Sequence, residues 1–188
     1  MPIPVETATS SDQVEVLEVF SYGCVHCYNF DPMVNAWAKN AQGVAFRRMP
    51  AVFNQSWVVL AQAFYAAEAL GVSERMHEPL FRAIHEQPIN LGDPQVMSDL
   101  FETQGGVDPE TFKQAYDSFG VRGKVQQADG RGRAFRLRAV PSMVVDGKYL
   151  IDASMVPGGN AEMLQVVNFL VAKTQNEASA KKPSAKAE

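Results

Sequence analysis

Residues 14–20, VEVLEVF, are apolar at nearly every position, the pattern of a strand covered on both faces. Glu18 is the odd member. After the turn SYG, the residues Cys27, Phe30, Val34, Trp37, Ala38 and Ala41 recur at helical spacing, which predicts a helix over 24–41. Pro32 lies inside it, where it removes a backbone donor. Residues 43–49, GVAFRRM, read as a second buried strand, so the opening unit is a βαβ crossover with a parallel, right-handed pair.

From residue 56 to about 119 the period becomes helical, in the stretches WVVLAQAFYAAEAL, PLFRAIHEQ, DPQVMSDLFETQ and DPETFKQAYDSF. Asp93-Pro94 and Asp108-Pro109 each place an N-cap before a first-turn proline. A further helix is expected over 121–137. VPSMVV and KYLI, joined by Asp146-Gly147, form a hairpin. A last amphipathic helix, AEMLQVVNFLVAK, follows Asn160 as its N-cap. The order is βαβ, helical insert, α, ββ, α around a mixed sheet. It divides the chain into a sheet-bearing domain of residues 1–54 and 120–175, a helical insertion over 55–119, and a tail over 176–188 that is small, charged and expected to be disordered.

Composition narrows the function classes. A net charge of −4, with acids and bases interspersed, leaves no footprint for nucleic acid, and the arginines at 122, 131, 133, 136 and 138 read as a solvated face. No apolar run approaches the roughly 18 residues needed to span a bilayer, and the N-terminus is polar, which fits either a cytosolic protein or a mature exported one.

Both cysteines of the 188-residue chain sit in CVHC, residues 24–27. Zinc would need about four ligands. Beyond the two cysteines, only His26, His77 and His85 supply imidazole; His26 lies inside the clip, and the other two are eight apart. A structural staple closing so short a loop removes little entropy from the unfolded chain. A reactive dithiol suits the placement better. At a helix N-terminus, partial positive charge and unpaired N–H groups favour the Cys24 thiolate, while Cys27, one turn in, is shielded. His26 adds to that preference, and stabilising the reduced form makes the disulfide a stronger oxidant.

VLEVFSYGCVHCYNF together with RAVPSMVVDGKYLI resembles the DsbA family of thiol:disulfide interchange proteins, over about residues 14–174. The resemblance implies an α/β thioredoxin fold with flanking helices and an all-helical insertion. It also implies an enzyme that donates its Cys24–Cys27 disulfide to reduced, unfolded exported proteins during oxidative folding in the periplasm. Cys24 would exchange with substrate and Cys27 resolve the mixed disulfide. Glu18 would handle the proton of Cys27, unless it pairs structurally with Arg47 or Arg48. Val140-Pro141 would be the family's cis-proline loop, with the main chain of Val140 pairing to an extended substrate.

The best-known members carry proline where this chain has Val25, and Val25 is expected to face substrate. Tyr22, Tyr28, Val140 and Met143 are further candidates for that surface. The resemblance further implies a monomer with no metal or organic cofactor, reoxidised by a DsbB-type membrane quinone reductase. Rival readings are a reductase or isomerase using the same dithiol, and a peptide-binding chaperone in which the dithiol is incidental.

Overall fold

Strand β1 (Val14–Phe20) is buried along its whole length in the computed structural model, which describes residues 7, 13–87 and 89–181. Helix α1 (Val25–Asn40), with Pro32 in its interior, and strand β2 (Val44–Pro50) follow it. The Val14 N–H donates to the Gly43 carbonyl at one end of the strand pair and the Ala51 N–H to the Phe20 carbonyl at the other, so β1 and β2 run parallel. Strands β3 (Ser142–Val145) and β4 (Tyr149–Asp152) complete a four-stranded mixed sheet in the order β2-β1-β3-β4. β3 and β4 are antiparallel, with Val145 opposite Tyr149. The turn between them is the expected Asp-Gly: Asp146 and Gly147 take φ of 51° and 60°, and the Lys148 N–H donates back to the Val145 carbonyl.

The described residues fall into two compact units. One holds those up to Glu18, then Phe30–Arg48, and those from Pro141 onward. Its core joins Val14 and Val16 of β1, Met143 and Val145 of β3, Phe30 and Val34 of α1, and Met163, Val167 and Leu170 of helix α7 (Gly159–Lys181). α7 packs on β3 and β4.

The other unit holds Val19–Asn29 and Met49–Val140. Its helices are α2 (Gln55–Ala69), α3 (Ser73–His85), α4 (Pro94–Gly105), α5 (Pro109–Tyr116) and α6 (Phe119–Ala134). α2 is central and packs on α3, α5 and α6. Its sequence is apolar on most sides, and the buried Ala61, Ala63, Ala66 and Ala67 let neighbouring helices approach closely. Asp93 and Asp108 cap as the Asp-Pro pairs predict, accepting from the N–H groups of Gln95 and Thr111.

Several boundaries differ from the sequence reading. α3 begins at Ser73, with Pro79 in its interior rather than at its start. α6 stops at Ala134, before residue 137, because Arg136 turns into the left-handed region at φ 55°. It also packs on α2 and α5, so the helical unit extends past residue 119. Asn160 lies inside the first turn of α7 instead of capping it. α7 continues to Lys181, which makes residues 176–181 helical where a disordered tail was expected. The glutamate and alanines of that stretch are good helix formers on a helix already nucleated by packing. The rest of the expected tail, 182–188, lies outside the described residues.

Candidate active site

The dithiol is placed by a tight turn. The Cys24 N–H donates to the Ser21 carbonyl at 3.1 Å, and the Gly23 N–H donates to Ser21 Oγ at 3.1 Å. Gly23 is required there, since a Cβ would fall 2.8 Å from Trp57 Nε1 and 3.2 Å from Leu60 Cδ1. The Tyr28 N–H then donates to the Cys24 carbonyl at 3.0 Å, the first bond of α1. Cys24 is therefore the N-cap residue, the position at which a serine or aspartate oxygen ordinarily accepts from the second and third N–H groups of a helix.

Sulfur stands in for that oxygen. The Cys24 thiol is lowered from 9.0 to about 6. The Cys27 thiol hydrogen bond contributes most; burial opposes it; the N–H groups of Cys27 and His26 and the charge of His26 add to it. A thiolate is the capping anion that this helix end favours. Cys24 is half-buried, Cys27 is fully buried at 0% exposure, and no disulfide joins them in this structure. Between them Val25 is 50% exposed and His26 is exposed.

Of the residues expected near the dithiol, Val140 is brought to it: the Cys24 thiol donates to the Val140 carbonyl at 3.5 Å, across 116 positions of chain. Val140 is half-buried. Pro141, next in the chain, is buried and leads into β3. Tyr22 and Met143 are buried at 2% and 0% exposure, so neither offers a surface to substrate. Among the described residues, no three His, Cys, Asp or Glu side chains gather where one metal ion could be held.

Glu18 belongs to the first unit, where it is buried and meets Arg48: Nε donates to Glu18 Oε2 at 2.8 Å. Arg47 instead faces Glu15, at 3.9 Å. Arg48 Nη2 also donates to Asp31 Oδ1 at 3.2 Å and Asn35 Oδ1 at 2.5 Å, and its guanidinium lies 5.0 Å from the Phe46 ring centre. The Glu18 carboxyl is raised from 4.5 to about 7. Burial outweighs both the charge and the hydrogen bond of Arg48, and the negative charge of Asp31 adds to the rise. Asp31 and Asn35 carry no motif, and only the packing of α1 against β2 reveals them.

A model of the DSBA-like thioredoxin domain matches residues 43–167, well over half of the chain. The chain belongs to the DsbA-like family. It is 41% identical over 160 residues to the thiol:disulfide interchange protein DsbA of Azotobacter vinelandii, covering 85% of this chain and 74% of that one. Identity to the Pseudomonas aeruginosa DsbA is 38% over 182 residues, covering 96% and 83%. The crystal structure of Pseudomonas aeruginosa DsbA superposes with a TM-score of 0.86 at 37% identity, covering 96% of this chain and 92% of that one. As a DsbA-like thioredoxin-fold protein, this one is a thiol:disulfide oxidoreductase, a dithiol oxidase of the interchange type whose CxxC motif is Cys24–Cys27. Such a DsbA-like enzyme works on substrate proteins and needs a redox partner.

Proposed function

We propose that this protein donates its Cys24–Cys27 disulfide to reduced, unfolded exported proteins in the periplasm, as a monomer reoxidised by a DsbB-type membrane quinone reductase. The observation that carries the direction is the N-cap position of Cys24, with two helix N–H groups and the Cys27 thiol aimed at its sulfur. Each favours the thiolate, hence the reduced enzyme, and so makes the disulfide oxidising.

A substrate thiolate attacks the Cys24 sulfur. The Cys24–Cys27 bond breaks, and its electron pair leaves on Cys27, which takes up a proton. A second substrate thiolate then attacks the substrate sulfur of the mixed disulfide and expels Cys24 as a stabilised thiolate. The substrate loses two electrons and gains a disulfide; the enzyme ends as the dithiol. That disulfide is the only redox group the cycle uses, and no metal or organic cofactor takes part.

Val140 and Pro141 form the substrate-side loop, with Val25 as the exposed apolar contact. Once Cys24 has no proton to donate, the Val140 carbonyl is open to the N–H of an extended substrate segment, a pairing that reads backbone rather than sequence. His26 stabilises the thiolate through its charge and its N–H group. Glu18, although paired with Arg48, is assigned the Cys27 proton, a role the family implies and one that suits a carboxyl titrating at about 7.

Thiolate absorbance of the reduced protein tests the first step. Cys24 is expected to titrate with a midpoint at about 6. Because this value lies below that of the unfolded chain, the thiolate stabilises the reduced fold fully above 9.0, and the gain is lost as the pH falls through about 6. A midpoint near the free-cysteine value of about 8.5 would remove the mechanism's basis. Glutathione equilibration tests the direction, since a couple as reducing as thioredoxin would assign the protein to the reductases.

A further inference from the structure

Tyr22, two residues before Cys24, is held at three points by one face of α3. His77, Phe81 and His85 are spaced four apart along that helix. His77 Nδ1 lies 3.0 Å from the Tyr22 hydroxyl. The Phe81 ring meets the Tyr22 ring edge-on, with centres 4.9 Å apart and planes at 76°. His85 Nε2 lies 2.8 Å from the Tyr22 carbonyl oxygen, which can only accept, so Nε2 carries the proton. The His85 ring also stacks on Tyr28 at 4.9 Å and 17°. Tyr28 directly follows Cys27. One histidine, about sixty residues away in sequence, thus touches the chain on both sides of CVHC.

We propose that His85 is a positioning residue for the dithiol, which by donating to the Tyr22 carbonyl locks the Ser21–Cys24 turn and so holds the Cys24 sulfur against the helix N–H groups. Two hydrogen bonds tie the turn from within, Cys24 N–H to Ser21 carbonyl and Gly23 N–H to Ser21 Oγ. The N–H groups of His26 and Cys27 favour the thiolate only while the sulfur stays over them, because hydrogen bonds weaken steeply with misalignment. Freeing the Tyr22 carbonyl leaves a part-buried acceptor without its imidazole donor and gives the turn reason to rearrange toward another. His77 and Phe81 fix the Tyr22 side chain; His85 fixes its main chain, the part continuous with Cys24.

This rests on the reading of Cys24 as a stabilised thiolate, and the two fail separately. His85→Phe keeps a ring to stack on Tyr28 and removes the donor; His85→Gln keeps an N–H donor and removes the ring. In glutathione equilibration the His85→Phe enzyme is expected to hold its disulfide about 3- to 10-fold more strongly than wild type, with a higher Cys24 titration midpoint. His85→Gln is expected to recover most of the difference. Unfolding of both redox forms isolates the effect, because a merely structural histidine would destabilise oxidised and reduced protein alike and leave the glutathione equilibrium unmoved.

An unchanged equilibrium in His85→Phe, or an equal change in both variants, overturns the proposal. Nitrogen NMR of the wild-type imidazole adds a test that needs no variant: a neutral His85 protonated on Nδ1 instead of Nε2 would also overturn it. A wild-type Cys24 midpoint near that of free cysteine would defeat the thiolate reading itself.

Discussion

Replacing Cys24 with serine is expected to reduce oxidation of a reduced test protein to the uncatalysed rate, whereas Cys27→Ser is expected to accumulate a mixed disulfide with substrate. The asymmetry follows from position. Cys24 is half-buried at the helix N-cap, and Cys27 is fully enclosed one turn further in. Without the Cys24 sulfur there is no Cys24–Cys27 disulfide for a substrate thiolate to attack, so the cycle has no first step. With Cys27 replaced, the external oxidant still joins a substrate thiol to Cys24 as a mixed disulfide, and no neighbouring sulfur reverses it. Mass analysis after mixing with a single-cysteine peptide and an external oxidant checks both. Stable adducts on Cys27 of the Cys24→Ser protein would reverse the assigned roles.

The second large effect concerns Arg48. Arg48→Met is expected to destabilise the fold by about 3–5 kcal/mol at pH 8, the cost of leaving one member of a buried ion pair behind. Glu18 would then be a buried carboxylate without its guanidinium, and its titration would move above the present value of about 7. The folded value is raised above that of the unfolded chain. Stability associated with the protonated carboxyl is therefore complete below 4.5 and is lost as the pH rises through about 7 in the wild type. In Arg48→Met the loss continues to higher pH, so the gap from wild type is smaller at pH 5 than at pH 8. Adding Glu18→Gln to Arg48→Met is expected to restore most of it by removing the charge. Urea unfolding of the wild type, Glu18→Gln, Arg48→Met and the double variant at the two pH values completes the cycle, and a pH-independent gap would mean that Glu18 is not the group left unpaired.

Arg47 and Arg48 also mark where the sequence stopped being legible. Successive strand residues point to opposite faces, so one of the two had to share a face with Glu18. Which one depends on the register of β2 against β1, and register is a property of the pair, invisible in either strand alone. The catalytic motif was far easier to read. CVHC stands at a strand-to-helix junction whose apolar periods are strong on both sides, so the N-terminal position of Cys24 followed from local pattern. Tyr22 and Met143 went the other way. As residue types they suit a binding surface as well as a core, and burial decided for the core. The extent of α7 was missed because a polar, alanine-bearing helix end has no apolar period to announce it.

By itself, the sequence determined what short-range physics enforces. The Asp-Pro caps, the Asp146-Gly147 turn, the doubly covered β1 and a cysteine at a helix N-terminus each depend on residues a few positions apart. Only the tertiary structure decided what long-range closure supplies: Arg48 for Glu18, the Val140 carbonyl for the Cys24 thiol, and the His77–Phe81–His85 face for Tyr22. Those partners lie between thirty and more than a hundred residues apart. No local propensity selects them; they meet because burying apolar faces brings distant segments together, and the polar groups carried along must then be satisfied where they land.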